Sequence, residues 1–145
     1  VRREAIRLLA GVPSVRAAAL RRALDDQSDD VQQAAIDVAF AQRKDELPVD
    51  VATRLLGLAE RETVPVELRE KAVRAVGGTR HADVRTWLIA HSTRRARLTG
   101  STKIAPTSET VRAAVHVLAT AFATDPLAAP VLVLARKAGM VGETR

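Results

Sequence analysis

"LDDQSDDVQQAAIDVA", residues 24–39, sets four aspartates within six positions directly ahead of an alanine-rich apolar run. Asp25 to Asp29 spell DDxxD, the acid spacing that holds magnesium and a diphosphate. That chemistry needs a second acidic helix and an aromatic cavity, and the rings of this chain amount to Trp87, Phe40 and Phe122. A calcium loop opening at Asp26 fails as well, because Val31 stands where the sharp turn requires glycine and no glutamate closes the loop. A junction between two helices accounts for every residue. Asp25 and Asp26 end one helix, Ser28 or Asp29 caps the next, and Asp30 sits in its first turn, where the helix dipole favours negative charge.

The apolar run after the aspartates has counterparts elsewhere. "VRREAIRLLA" from Val1, "VQQAAIDVAF" from Val31 and "LREKAVRAVG" from Leu68 align without gaps, so that Ala5, Ala35 and Ala72 correspond, as do Ile6, Ile36 and Val73. The spacings are 30 residues (Ala5 to Ala35) and 37 (Ala35 to Ala72). "VRAAVHVLAT" from Val111 is a fourth copy whose register can slide by one. Periods of this length belong to stacked helical hairpins. The alanine lets a neighbouring helix approach closely, and the large residue after it fills the flanking gap. Leu20, Leu56, Ile89 and Leu132 play the corresponding part in the second helices.

Apolar stripes at i, i+3, i+4 and i+7 run through Val31, Ala35, Val38 and Ala39, through Val51, Leu55 and Leu58, and through Val111, Ala114, Val115 and Leu118. No hairpin dipeptide such as Asn-Gly occurs, and the whole chain reads as helix. The expected helices are 1–10, 14–25, 29–43, 49–61, 66–77, 82–92, 108–123 and 126–138. Gly11, Gly77, Gly78 and Gly139 suit left-handed C-terminal caps, Pro13, Pro48, Pro65 and Pro126 suit first turns, and Asp125 suits an N-cap. Helices this short are marginal alone, so each must dock its stripe on a neighbour.

A helix ending in Leu-Asp-Asp, a short polar turn and then Val-x-x-x-Ala-Ile resembles the HEAT repeat, and "VRREAI", "LREKAV" and, more loosely, "VRAAVH" carry the same signature. Armadillo-like stacks look similar. The resemblance implies an all-α fold, an α-α superhelix of about four antiparallel helix pairs, here 1–25, 29–61, 66–92 and 108–138, forming one domain over 1–145 with a connector at 93–107. It also implies use as a scaffold for proteins, and at times nucleic acids, through a concave surface. Enzymatic members resemble this chain poorly: no histidine here is followed by glutamate, as in the iron-dependent hydroxylases, and the rings used by the DNA glycosylases are scarce.

Composition narrows the function classes. The 47% apolar and 28% charged shares describe an ordinary folded chain, and no apolar run approaches the ~18 residues of a membrane span. Cysteine is absent, which removes disulfides, thiolate metal sites and thiol nucleophiles and says little about compartment; cytoplasm is the favoured expectation. The start at Val1, without methionine or signal peptide, reads as a piece of a longer protein. His81 and His91 are ten residues apart along one helix, ~15 Å, too far to share a metal. No cofactor, metal or catalytic residue is expected, and the protein is read as no enzyme.

Charge is the remaining signal. Residues 1–75 hold 13 basic and 13 acidic side chains and residues 76–145 hold 10 and 4, so the net +6 lies wholly in the second half. Arg80, Arg85, Arg94, Arg95, Arg97 and Lys103 share residues 80–103 with one acid, Asp83, and mark the expected partner-binding surface, centred on the basic connector. An acidic protein is the favoured partner; sequence-independent nucleic-acid binding through the phosphate backbone is the alternative, weakened by the lack of stacking rings. Some of the charge is incidental, since 19 of the 23 basic residues are arginine. Arg7, Asp37 and Arg74 share one repeat position, with alternating sign, which is open either to an ion-pair ladder between first helices or to three unrelated solvated charges.

Overall fold

A computed structural model describes residues 2–42, 47–95, 102–103 and 108–140. The fold is all-α. Among the described residues eight helices follow one another: α1 (Arg2–Ala10), α2 (Pro13–Leu24), α3 (Asp29–Ala41), α4 (Val49–Ala59), α5 (Val66–Arg74), α6 (Ala82–Ser92), α7 (Glu109–Ala121) and α8 (Ala129–Lys137). Between α6 and α7 a small antiparallel ladder joins β1 (Arg94–Arg95) to β2 (Thr102–Lys103), with Arg94 opposite Lys103 and Arg95 opposite Thr102. The ladder departs from the purely helical expectation. Residues 96–101, between its two strands in sequence, contain no two-residue hairpin signal and lie outside the described residues. The chain divides into two compact units, Val1–Thr79 and Arg80–Arg145.

In the first unit α1 packs on α2 and α3, and α3 packs on α5, so the three helices carrying the Ala-Ile/Val signature meet in sequence order. The second helices α2 and α4 also touch, while α2 fills the angle between α1 and α3. Ala35 and Ala72 are completely buried, and Ile36 and Val73 beside them nearly so. Ala5 is exposed, while Ile6 beside it is buried. Leu20, Val51, Leu55, Leu56 and Leu58 complete the core.

The aspartate cluster is the turn between α2 and α3. Asp25 is the C-cap of α2, the Asp26 carboxylate accepts the Ser28 backbone N–H at 2.8 Å, and Gln32 Nε2 donates to the Asp26 carbonyl at 2.6 Å. Ser28 occupies the N-cap of α3 by backbone geometry alone, with no side-chain bond, and Asp29 and Asp30 lie in the first turn. Among the described residues no three His, Cys, Asp or Glu side chains are grouped to hold a metal ion.

Charged pairs join the helices in a pattern other than a ladder through Arg7, Asp37 and Arg74. Arg7 pairs within its own helix with Glu4 at 3.2 Å, and Arg74 with Glu70 at 3.2 Å. Asp37 bonds Lys71 Nζ at 2.6 Å, and the same ammonium lies 5.3 Å from the Phe40 ring centre. One lysine thus ties α5 to α3, one turn away from the position that the repeat alignment suggests. A second network ties α2 to α4: Arg21 grips Asp50 through Nε and through Nη2 at 3.1 Å, and Arg54 donates to Asp50 at 3.1 Å and to Asp25 at 3.2 Å.

The hydrogen bonds from Arg21 hold the Asp50 carboxyl well below the usual range, at about 2; partial burial opposes the shift, and the charge of Arg21 and the bond from Arg54 reinforce it. A carboxylate with a lowered folded pKa contributes stability that is present above its unfolded pKa near 3.8 and lost as pH falls through about 2. The stabilising difference between the wild type and Asp50→Asn is therefore expected to be constant above pH ~4 and to shrink toward pH ~2. Urea midpoints measured across that range check this, and added salt is expected to diminish the difference, since the pair is partly exposed.

In the second unit α7 packs against α6 and α8. The fourth repeat copy settles one position earlier than its Val111 alignment. Thr110, Ala114 and Val115 are buried and His116 is exposed, so Ala114–Val115 take the inward positions. Helix α6 buries Val84, Leu88 and Ser92, and Leu88 fills the place expected of Ile89, which is only half-buried. Helix α8 begins at Ala129, later than expected, because Asp125 and Pro126 form a turn of their own, with the Ala128 N–H bonding the Asp125 carbonyl at 3.1 Å.

Gly139 has φ 71°, the left-handed conformation, and is the one described glycine that adopts it. It lets the Met140 N–H reach the Ala135 carbonyl at 2.9 Å and its own N–H reach Arg136 at 3.0 Å, and Met140 folds onto Val111, Val115 and Ala135. Gly77 does not serve as a left-handed cap, because α5 ends in successive tight turns, Val76 to Val73 and Gly77 to Arg74, that need no left-handed residue. Gly139→Ala is expected to cost about 1–2 kcal/mol through the left-handed backbone alone. The unfolding transition of Trp87 fluorescence, in the same unit, reads it directly.

Candidate partner-binding surface

The six basic residues expected to mark the surface divide into three groups. Arg80 and Arg85 stand at and just inside the start of α6. Arg94, Arg95 and Lys103 belong to the ladder, whose backbone register sets Arg94 opposite Lys103. Arg97 lies outside the described residues.

Arg85 is committed to an internal partner. Its Nη1 donates to Asp125 Oδ2 at 2.8 Å, with the two side chains 24% and 18% exposed. The bond from Arg85, reinforced by the Leu127 N–H on Oδ1 at 2.9 Å, holds the Asp125 carboxyl below its ordinary pKa. The expected cationic role of Arg85 is thus largely answered within the protein. The acid that answers it lies 40 residues away, beyond the basic stretch 80–103.

This ion pair forms one wall of a cleft of about 470 Å3, lined by Arg80, Arg85, Phe122, Asp125, Pro126 and Leu127. Of its lining residues Phe122 is buried, Leu127 is 60% exposed and Arg80 is exposed. Phe122, Asp125 and Leu127 carried no signal as site residues in the sequence. A second cleft, of about 460 Å3, lies in the first unit between the α2–α3 turn and residues 61–64, and Asp25, Asp26, Asp29 and Arg61 line it.

His91 is occupied structurally. His91 stacks on Trp87 with ring centres 4.5 Å apart, and its Nε2 bonds the Thr110 hydroxyl at 3.0 Å, which in turn meets Ser108 Oγ at 3.2 Å. This chain of contacts seats the N-terminus of α7, where Ser108 Oγ accepts the Val111 N–H. No described helix is long and apolar enough to cross a membrane. In comparisons with family models, with curated proteins and with solved structures, nothing matches the chain.

Proposed function

We propose that the chain is a HEAT-like helical-repeat scaffold, without catalytic activity, that binds an acidic protein partner through its basic second unit and the connector at 93–107. The supporting observation is the sequential contact of α1, α3 and α5, in which Ala35–Ile36 and Ala72–Val73 are buried at equivalent places. Repeats of this kind are pre-formed surfaces that lose little entropy on binding, and concentrated arginine steers an acidic partner toward them. The charge favours that use: residues 80–145 hold ten basic and four acidic side chains, whereas residues 1–79 are balanced.

Replacing Arg94, Arg95 and Arg97 together by alanine is expected to weaken capture of the partner with little change in melting temperature. A large fall in melting temperature would reassign the connector to structure. The excess of basic residues over 80–103, six against the single acid Asp83, favours a second reading, phosphate-backbone binding to nucleic acid. Titration with duplex DNA at low and high salt separates the two readings, because backbone binding loses affinity steeply as salt rises. The absence of salt-sensitive binding at low ionic strength removes the second.

A further inference from the structure

We infer that the cleft between the start of α6 and the α7–α8 turn docks an acidic peptide segment of the partner that carries an apolar side chain, with Arg80 taking a carboxylate and Leu127, Pro126 and Phe122 taking the apolar group. The inference rests on the scaffold reading above and locates its contact surface.

Three observations carry it. The first is an exposed leucine on a fixed turn. Asp125 accepts the Leu127 N–H through one carboxylate oxygen and Arg85 Nη1 through the other, so the turn is closed on itself and tied to α6. Leu127 is nevertheless 60% exposed, next to the buried Phe122. A large apolar side chain held in water by a rigid turn is a pre-organised contact, because binding need not order the turn again.

The second is donor capacity without an acceptor. Arg80 is exposed and pairs with no acid among the described residues. Arg85 gives Nη1 to Asp125, while its Nε is buried with no acceptor. The Arg85 Nε is closed to solvent, so the donor that the cleft offers is the free Arg80 guanidinium, suited to bidentate contact with a carboxylate. The third is the charge of the whole unit, ten basic against four acidic residues, which draws an acidic segment toward the cleft.

A phosphate backbone would satisfy Arg80 and leave Leu127 and Pro126 in water. An uncharged apolar peptide would do the reverse. A segment presenting a carboxylate and an apolar side chain together uses both halves of the cleft.

The test is fluorescence anisotropy of the whole chain with a labelled peptide alternating Glu and Leu, beside its all-Glu and Gln-Leu counterparts and a duplex DNA oligonucleotide. Arg80 and Leu127 are exposed, so Arg80→Ala and Leu127→Ser are expected to keep the wild-type melting curve. Each is expected to weaken the Glu-Leu peptide by about tenfold, as lost burial of a partly exposed leucine or a lost charge-assisted pair implies. Both counterpart peptides are expected to bind more weakly than the alternating one. Unchanged affinity in Leu127→Ser, or equal binding of the all-Glu peptide, overturns the inference. If binding is lost in the Arg94, Arg95 and Arg97 variant but kept in Leu127→Ser, the scaffold reading stands and the cleft assignment falls. If only duplex DNA binds, both fall.

Discussion

Ile36→Ala is expected to lower the unfolding free energy of the first unit by about 2–5 kcal/mol, the largest effect of any change considered. Ile36 is 1% exposed in α3, which α1, α2 and α5 surround. Removing three carbons there loses their transfer free energy and leaves a cavity that three closely packed helices cannot collapse to fill. Urea unfolding followed by far-UV circular dichroism measures the loss. Leu8→Ala is the internal comparison: Leu8 is 75% exposed, and its truncation is expected to change stability by no more than about 0.5 kcal/mol. A loss below about 1 kcal/mol for Ile36→Ala would show that α3 is not the packed centre of its unit.

The second large effect runs in the opposite steric direction. Ala35→Leu is expected to destabilise by about 1–3 kcal/mol, because it adds volume where there is none to receive it. Ala35 is completely buried on the helix that meets both α1 and α5. The larger side chain must force an unfavourable rotamer or push a neighbouring helix away, and the second outcome loosens contacts along its whole length. Ala5→Leu, at the aligned but exposed position of α1, is expected to be nearly neutral. The contrast separates repetition in the sequence from repetition in the packing. Equal costs at both positions would contradict the exposure of Ala5.

Much of the architecture was legible because it follows from local rules. Eight helices, the apolar stripes of α3, α4 and α7, and the reading of Asp25 to Asp30 as a turn all derive from periodicity, capping and dipole effects that act within a few residues. Differences arose where two elements compete for one position. The fourth repeat took the second of the two registers open to it, so that Ala114, and not Val115, takes the small-residue place. Leu88 displaced Ile89 because α7 lies against the Val84–Leu88–Ser92 face of α6. Asp125 looked like an N-cap by type and order, yet the Arg85 side chain, a distant cation, draws it into a turn that delays α8.

The candidate site shows the same division more sharply. Composition alone placed the positive charge in the second half of the chain, since net charge is a sum and needs no coordinates. Which cations remain available is a pairwise matter, decided by distance. Arg85 is spent on Asp125 and Arg21 on Asp50, while Arg80 stays exposed at the rim of a cleft. The exposed Leu127 and the buried Phe122 beside it are two apolar residues in the sequence, with nothing to distinguish them.

Helix content, the approximate limits of each helix, the repeating Ala-Ile signature and the charge asymmetry were determined by the sequence itself, because each rests on short-range backbone preference or on simple composition. Only the tertiary structure decided which repeated alanines are buried, which acid neutralises which arginine, and where an apolar rim meets a free guanidinium. Those outcomes depend on contacts between residues 29 to 40 positions apart, as in Arg21–Asp50, Lys71–Asp37 and Arg85–Asp125, and no local pattern encodes the distance that such a contact requires.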